Sequence, residues 1–301
     1  MADPVVIFLR SGTSWQVPSD WNNDDNTIEC IGGGQAGENG HNIIETGDGG
    51  RGGDYARVVN LTLTPGETVN YAVGAGGGSN GANGGDTWFN GTNASNASVV
   101  AKGGGSSTTS VGSLIRTGGS GGLLNVSKIS LRGGGGGGAG GPDGNGGNGG
   151  NADNTGGGGG GANGGGGGGQ TGGAGNAGGG AGGDGGTAGS VTGKPGTPGN
   201  KWTQTSDNAT AGPGGGGGGG FVSSTGHGGA GGNYGGGGGG GGSLSTATTN
   251  GGPGGSGIIV ITYTPKTEDP IGGSDDDPVF GFFRVRSILG EVTETVRHCT
   301  P

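Results

Sequence analysis

Three histidines, His41, His227 and His298, are the side chains best suited to acid–base work or metal ligation, and their spacing suits neither. Metal sites draw ligands from short-range pairs, and these three stand alone. Serine and aspartate are plentiful, but no nucleophile elbow or paired-carboxylate motif organises them. Asp275-Asp276-Asp277 lacks the alternating ligands of a calcium loop and reads as a solvated linker. G-x-G-x-x-G strings recur throughout. With glycine this frequent they arise by chance, and none joins a strand to a helix as nucleotide binding requires. Cys30, inside Thr27-Ile-Glu-Cys-Ile31, reads as a small buried hydrophobe. A bridge from Cys30 to Cys299 would need the chain ends to meet. Asn-x-Ser/Thr triplets at Asn60, Asn90, Asn93, Asn96, Asn125 and Asn208 read as turn composition. No catalytic, cofactor-binding or metal-ligating residue is nominated, and no enzymatic activity is expected.

Recognition chemistry is better represented. The polar segment Lys194–Gln204 carries Lys201 and Trp202; Phe221–His227 follows, and Tyr234 ends the next stretch. Large aromatics among Asn, Ser and Gly are the material of adaptable binding loops. The same residues also suit a second use, folding back to cap exposed chain ends. Both stay open, and Lys201, Trp202, Phe221, His227 and Tyr234 are the candidate contact residues.

The elements that must position them are unusual. Of 301 residues 97 are Gly, and only 25% are hydrophobic, against about 7% Gly and nearly half apolar in ordinary domains. Residues 1–132 carry β-prone runs at Val5–Leu9, Ser14–Val17, Thr27–Ile31, Ala56–Leu63, Thr68–Val73, Thr87–Phe89, Ala97–Lys102 and Val126–Leu131, separated by turn residues. They predict an all-β domain, a β-sandwich or jelly roll, with essentially no α-helix. Residues 133–253 hold unbroken glycine runs at 133–138, 156–161, 164–169, 214–220 and 235–242. Spaced side chains keep a period of three: Ala139, Pro142, Asn145, Asn148, Asn151 and Asn154; Ala181, Asp184, Thr187 and Ser190; Thr171, Ala174 and Ala177. Three residues per turn is the polyproline-II period. Glycine restores the amide donor and removes Cβ, so such helices can bond laterally into a polyglycine-II bundle, the spaced side chains facing solvent.

The run Gly257–Thr264 is the most β-prone of all. One strand is not stable alone, so Ile258–Tyr263 is expected to return to the N-terminal sheet, which makes 1–132 plus 254–264 one domain and 133–253 an insertion. An acidic, Pro-punctuated linker opens 265–301, and two β-prone runs meeting at Gly290 predict a hairpin. Its Phe280, Phe282, Phe283, Val285, Ile288 and Leu289 exceed what two strands can bury, which makes them docking candidates.

Phe8 before Ser11-Gly-Thr-Ser-Trp-Gln-Val-Pro18, Thr27-Ile-Glu-Cys-Ile-Gly-Gly-Gly34, Thr64-Pro-Gly-Glu-Thr68, Val73-Gly-Ala-Gly-Gly77, Gly84-Gly-Asp-Thr-Trp-Phe89 and Gly254-Gly-Ser-Gly-Ile-Ile-Val-Ile-Thr-Tyr263 stand in this order along the chain. Together they resemble the glycine-rich domain of tail-fibre and tail-tip proteins of tailed bacteriophages. The central region is similar to phage adhesins built from polyglycine-II bundles, whose tip loops contact a bacterial surface receptor. The resemblance implies a structural, binding protein of the virion surface, on the tail rather than the capsid, made in the bacterial cytoplasm. Implied partners are other virion proteins (tail fibre, baseplate or capsid), an outer-membrane protein or polysaccharide receptor, and further copies in a trimer. A capsid head fibre or decoration spike, an ice-binding protein and an extracellular glycine-rich protein are the alternatives. The formal charge of −9 argues against nucleic acid. The N-terminal sequence lacks a basic region and a long apolar run, so neither a signal peptide nor membrane insertion is expected.

Overall fold

The strand Ile258–Tyr263, six residues reading IIVITY, is apolar at consecutive positions rather than alternate ones. A near-continuous apolar run suits a strand buried on both faces, and this strand occupies such a place. In the computed structural model, which describes residues 2–40, 47–123, 132–153, 155–243 and 248–266, it is β11. It pairs antiparallel with β1 (Val5–Leu9) on one side and β3 (Asn26–Ile31) on the other. β4 (Tyr55–Val59) and β8 (Leu114–Arg116) complete a five-stranded sheet ordered β1-β11-β3-β4-β8. The strand expected to return across the glycine region therefore lies inside the N-terminal sheet.

A second sheet, ordered β2-β5-β6-β7, joins β2 (Ser14–Gln16), β5 (Thr68–Ala72), β6 (Thr87–Phe89) and β7 (Val99–Ala101). Strand period two decides which side chains meet it. Leu9, Ile28, Cys30, Ala56, Ile259 and Ile261 face Val69, Tyr71, Phe89, Val99 and Ala101 in one core with Trp21 and Val17. Cys30 is fully buried there with a free thiol. The alternate residues Phe8, Ile31, Tyr55, Ile258 and Val260 point the other way, into a second cluster. That cluster is closed by Ala139, Ala162 and Ala211, with Trp202 and Tyr234 half-buried against it.

These alanines show how the glycine region is attached. Ala139 and Ala162 each end an unbroken six-glycine run, and their methyls sit beneath the five-stranded sheet. The runs themselves are neither helix nor strand. Residues 133, 136 and 139 donate backbone hydrogen bonds to carbonyls of 220, 217 and 214; 134, 137 and 140 donate to 47, 50 and 53; 135 and 138 donate to 150 and 147. Each segment is thus a strut whose successive N–H groups go to three neighbours in turn. Descending partner numbers mark antiparallel neighbours and ascending numbers a parallel one. The same rule holds for 156–162, which donates to 186, 183 and 180, to 133 and 136, and to 169 and 166.

Two details depart from the sequence expectation. The outward Asn series does more than face water. Oδ1 of Asn145, Asn148 and Asn151 accepts from the backbone N–H groups of Thr117, Ser120 and Leu123 at 3.0, 2.9 and 2.8 Å. Each asparagine thus ties the segment 117–123 to its own strut through a side-chain carbonyl. Three strands were also not anticipated: β8, β9 (Trp202–Thr203) and β10 (Thr210–Ala211). β9 and β10 form a small hairpin beside β1, where Thr205 N–H donates to Val6 O and Val6 N–H to Thr205 Oγ1. It covers the free edge of the five-stranded sheet, which otherwise exposes unpaired backbone groups.

Among the described residues the structure is all-β, with eleven strands in antiparallel sheets and no helix. These residues belong to one unit, Met1–Lys266. Val126–Leu131, Asn154, His41, His298, Cys299 and the docking candidates Phe280, Phe282, Phe283, Val285, Ile288 and Leu289 lie outside the described residues.

Candidate functional site

Because successive struts reverse direction, their connections alternate between two ends. At the sheet end lie the turns around 141–144, 163–164, 176–179 and 233–235, and the β9–β10 hairpin. At the distal end lie the Thr187–Ser190 turn, the 221–226 connection, and residues Gly40, Gly47, Arg132, Thr155 and Thr249.

The five candidate contact residues divide between these ends. Trp202 and Tyr234 pack at the sheet end, against the cluster that includes Phe8 and Tyr55. The Tyr234 hydroxyl accepts from Arg10 Nε at 2.9 Å. Lys201 is beside them, its Nζ 2.8 Å from Asp143 Oδ2. The Lys201 ammonium, and secondarily the Asn163 amide, hold the Asp143 carboxyl below its usual range. Beneath Trp202 the Tyr55 hydroxyl donates to Glu29 Oε1 at 2.6 Å. Burial pushes the Glu29 carboxyl up, against the opposing pull of Tyr55, Arg57, Trp202 and Lys201.

Phe221 and His227 lie at the distal end. Phe221 directly follows the seven-glycine run 214–220 and its N–H donates to Val191 O at 2.7 Å. The Arg132 guanidinium stands 4.7 Å from its ring centroid, in cation–π range. Arg132 Nη1 also donates to Asp153 O at 3.0 Å. The connection is braced internally: Ser223 O accepts from Gly226 N–H, and Thr225 O accepts from His227 N–H and from Thr192 Oγ1. His227 Nδ1 accepts the Asn250 N–H at 3.0 Å, so Nδ1 carries no proton and Nε2 presents the donor. Comparison with protein-family models and with curated proteins returns no match for this chain.

The chemistry available at the distal end is that of contact. It offers a half-buried aromatic ring, a cation over it, an imidazole and several hydroxyls, on a rigid base. Among the described residues no group of three His, Cys, Asp or Glu side chains is placed to hold a metal ion. No helix of the described residues is long and apolar enough to cross a membrane. Sequence reading missed Arg132, Asn250 and the Thr187–Ser190 turn. The signal that finds them is the strut count: Arg132 opens the first glycine run, and Ala139, at that run's other end, faces the sheet.

Proposed function

We propose that this protein is a non-enzymatic component of a bacteriophage virion surface, a tail-fibre or tail-tip part that presents the distal end of a polyglycine-II bundle to the host. The β-sheets form its sandwich-like base and Phe221, His227 and the neighbouring turns form its contact end. The observation that carries this reading is the three-residue hydrogen-bond cycle of the struts. A bundle held by backbone alone frees its connections from core-building, so those at the far end are available for recognition. Trp202, Tyr234 and Lys201 belong, in this reading, to the base. The apolar segment 279–297 is proposed, from sequence, as the dock onto another virion chain.

Particles carrying Phe221→Ala together with His227→Ala should keep the protein at full copy number and adsorb to host cells at least tenfold more slowly. Trp202→Ala should instead lower the melting temperature of the isolated protein. Deleting 271–301 should leave particles without it. Normal adsorption by the Phe221/His227 double variant would overturn the contact end and favour a passive capsid spike.

A further inference from the structure

A second surface feature lies on the flank of the molecule, away from the distal end. Where the strut ending at Asp54 passes the segments that follow β7 and β8, a cleft of about 510 Å³ opens between Arg51, Lys102, Ser106, Thr117 and Ser120. That volume is within the usual range of small-ligand sites. Its floor is glycine backbone. A Cβ at Gly103 or Gly104 would fall on the carbonyls of Gly84 or Arg51, so the floor admits no side chain.

The polar groups around it are unevenly used. Asp54 is buried and fully engaged, accepting from Ser110 Oγ at 2.8 Å and from Gly118 N–H at 3.0 Å. Asp86 accepts from Gly103 N–H at 2.9 Å. Gln35 is held by Arg51 N–H and by its own bonds to Gly81 O and Asn83. The charged ends of Arg51 and Lys102 are different. Among the described residues no carboxylate pairs with either, in a chain whose net charge is −9. Among the described residues the hydroxyls of Thr117 and Ser120 have no partner, and Ser106 Oγ only accepts, from Thr108 N–H at 3.2 Å.

We infer that this cleft is a recognition site for an acidic oligosaccharide, with a sugar carboxylate between Arg51 and Lys102 and sugar hydroxyls on Ser106, Thr117 and Ser120. The lining holds no aromatic or aliphatic side chain, so an apolar ligand gains nothing there. Two cations are too few for the phosphate tracking that nucleic-acid binding needs. A polyhydroxylated ligand with isolated negative charges uses both features. The walls are pre-bonded backbone, so little ordering opposes binding.

The test is titration of the full chain with trigalacturonate, with its uncharged methyl ester and with inorganic phosphate, followed by amide chemical shifts and calorimetry at low salt. Trigalacturonate should shift the Gly103–Gly105 and Gly118 amides and bind at least tenfold more tightly than the ester. Arg51→Ala with Lys102→Ala should weaken it at least tenfold at an unchanged melting temperature, and 0.5 M salt should weaken it as well. Equal affinity for the ester, equal affinity for phosphate alone, or no shift at those amides would each overturn the inference. The distal contact end stands or falls separately, because Phe221 and His227 take no part in this cleft.

Discussion

Gly217 and Gly166 both sit inside long glycine runs, yet their surroundings ask different things of them. A Cβ at Gly217 would land on the carbonyl oxygens of Gly229 and Ala230, whereas one at Gly166 meets nothing within 4 Å. Identity within a run therefore does not decide tolerance; the number of packed neighbours does. Gly217→Val should destabilise by more than about 4 kcal/mol, in the range reserved for core disruption. Gly166→Val, although it too interrupts an unbroken glycine run, should change the melting temperature by less than about 2 °C, within the surface range. Thermal melts and protease half-lives read both, and equal losses would mean the struts do not pack as described. Glu29 supplies a second residue-scale expectation. Burial raises its carboxyl above the ordinary 4.5, so the folded chain keeps a proton that the unfolded chain has released. Stability must then fall as pH rises from about 4.5 to the raised value, and level off above it. Glu29→Gln removes that fall. Asp143 and Asp184, held below 3.8 by Lys201 and Lys194, weaken the fold only as pH drops through their own lower range, in both proteins. Urea midpoints between pH 3 and 8 check this, and parallel curves for the two proteins would count against the buried carboxylate.

At the scale of elements, the strands were legible where β propensity and burial agree. Val5–Leu9 and Thr87–Phe89 have the bounds their sequences predict, and Ile258–Tyr263 trims its run by one residue at each end. β8, with only Leu114-Ile115-Arg116, is too short to show alternation, and β9 and β10 are two residues each. Their strand state comes from neighbours: β4 for the first, the edge of β1 for the hairpin. The period-three side chains were legible as well, since glycine at two positions of three is a demand of close backbone approach. What the sequence hid was which glycine segments join the network. Gly32–Gly40 and Gly47–Gly53 are interrupted by side chains, unlike the unbroken runs, yet they bond to 235–255 and 133–140 in the same cycle. Composition does not distinguish a strut from a loop at that length. The contact candidates suffered from the same gap. Trp202 and Phe221 look alike in sequence, and only the direction of the intervening strut places one at the sheet end and the other at the distal end.

At the scale of the whole molecule, two kinds of interior share one unit. The sheets bury Ile28, Ile259, Phe89 and Trp21 as any β protein does, while the struts bury little except peptide groups and glycine methylenes. β11 joins the two, since it continues directly from the strut 249–257 and pairs inside the sheet between β1 and β3. Melting of the sheets should therefore remove the anchor of the struts, giving one transition rather than two. Its heat capacity should be abnormal. Exposing apolar surface raises ΔCp while exposing polar surface lowers it, and ordinary proteins gain about 12–15 cal/mol/K per residue. A chain of this unit's length would ordinarily show about 3–4 kcal/mol/K on that scale. Here more than a hundred residues expose mainly backbone amides and carbonyls, whose negative contribution offsets the sheets' positive one. Calorimetry should return less than about 2 kcal/mol/K, with a correspondingly flat stability curve and an unfolding enthalpy that changes little with temperature. An ordinary ΔCp would mean that apolar burial, and not the backbone cycle, holds the glycine region together.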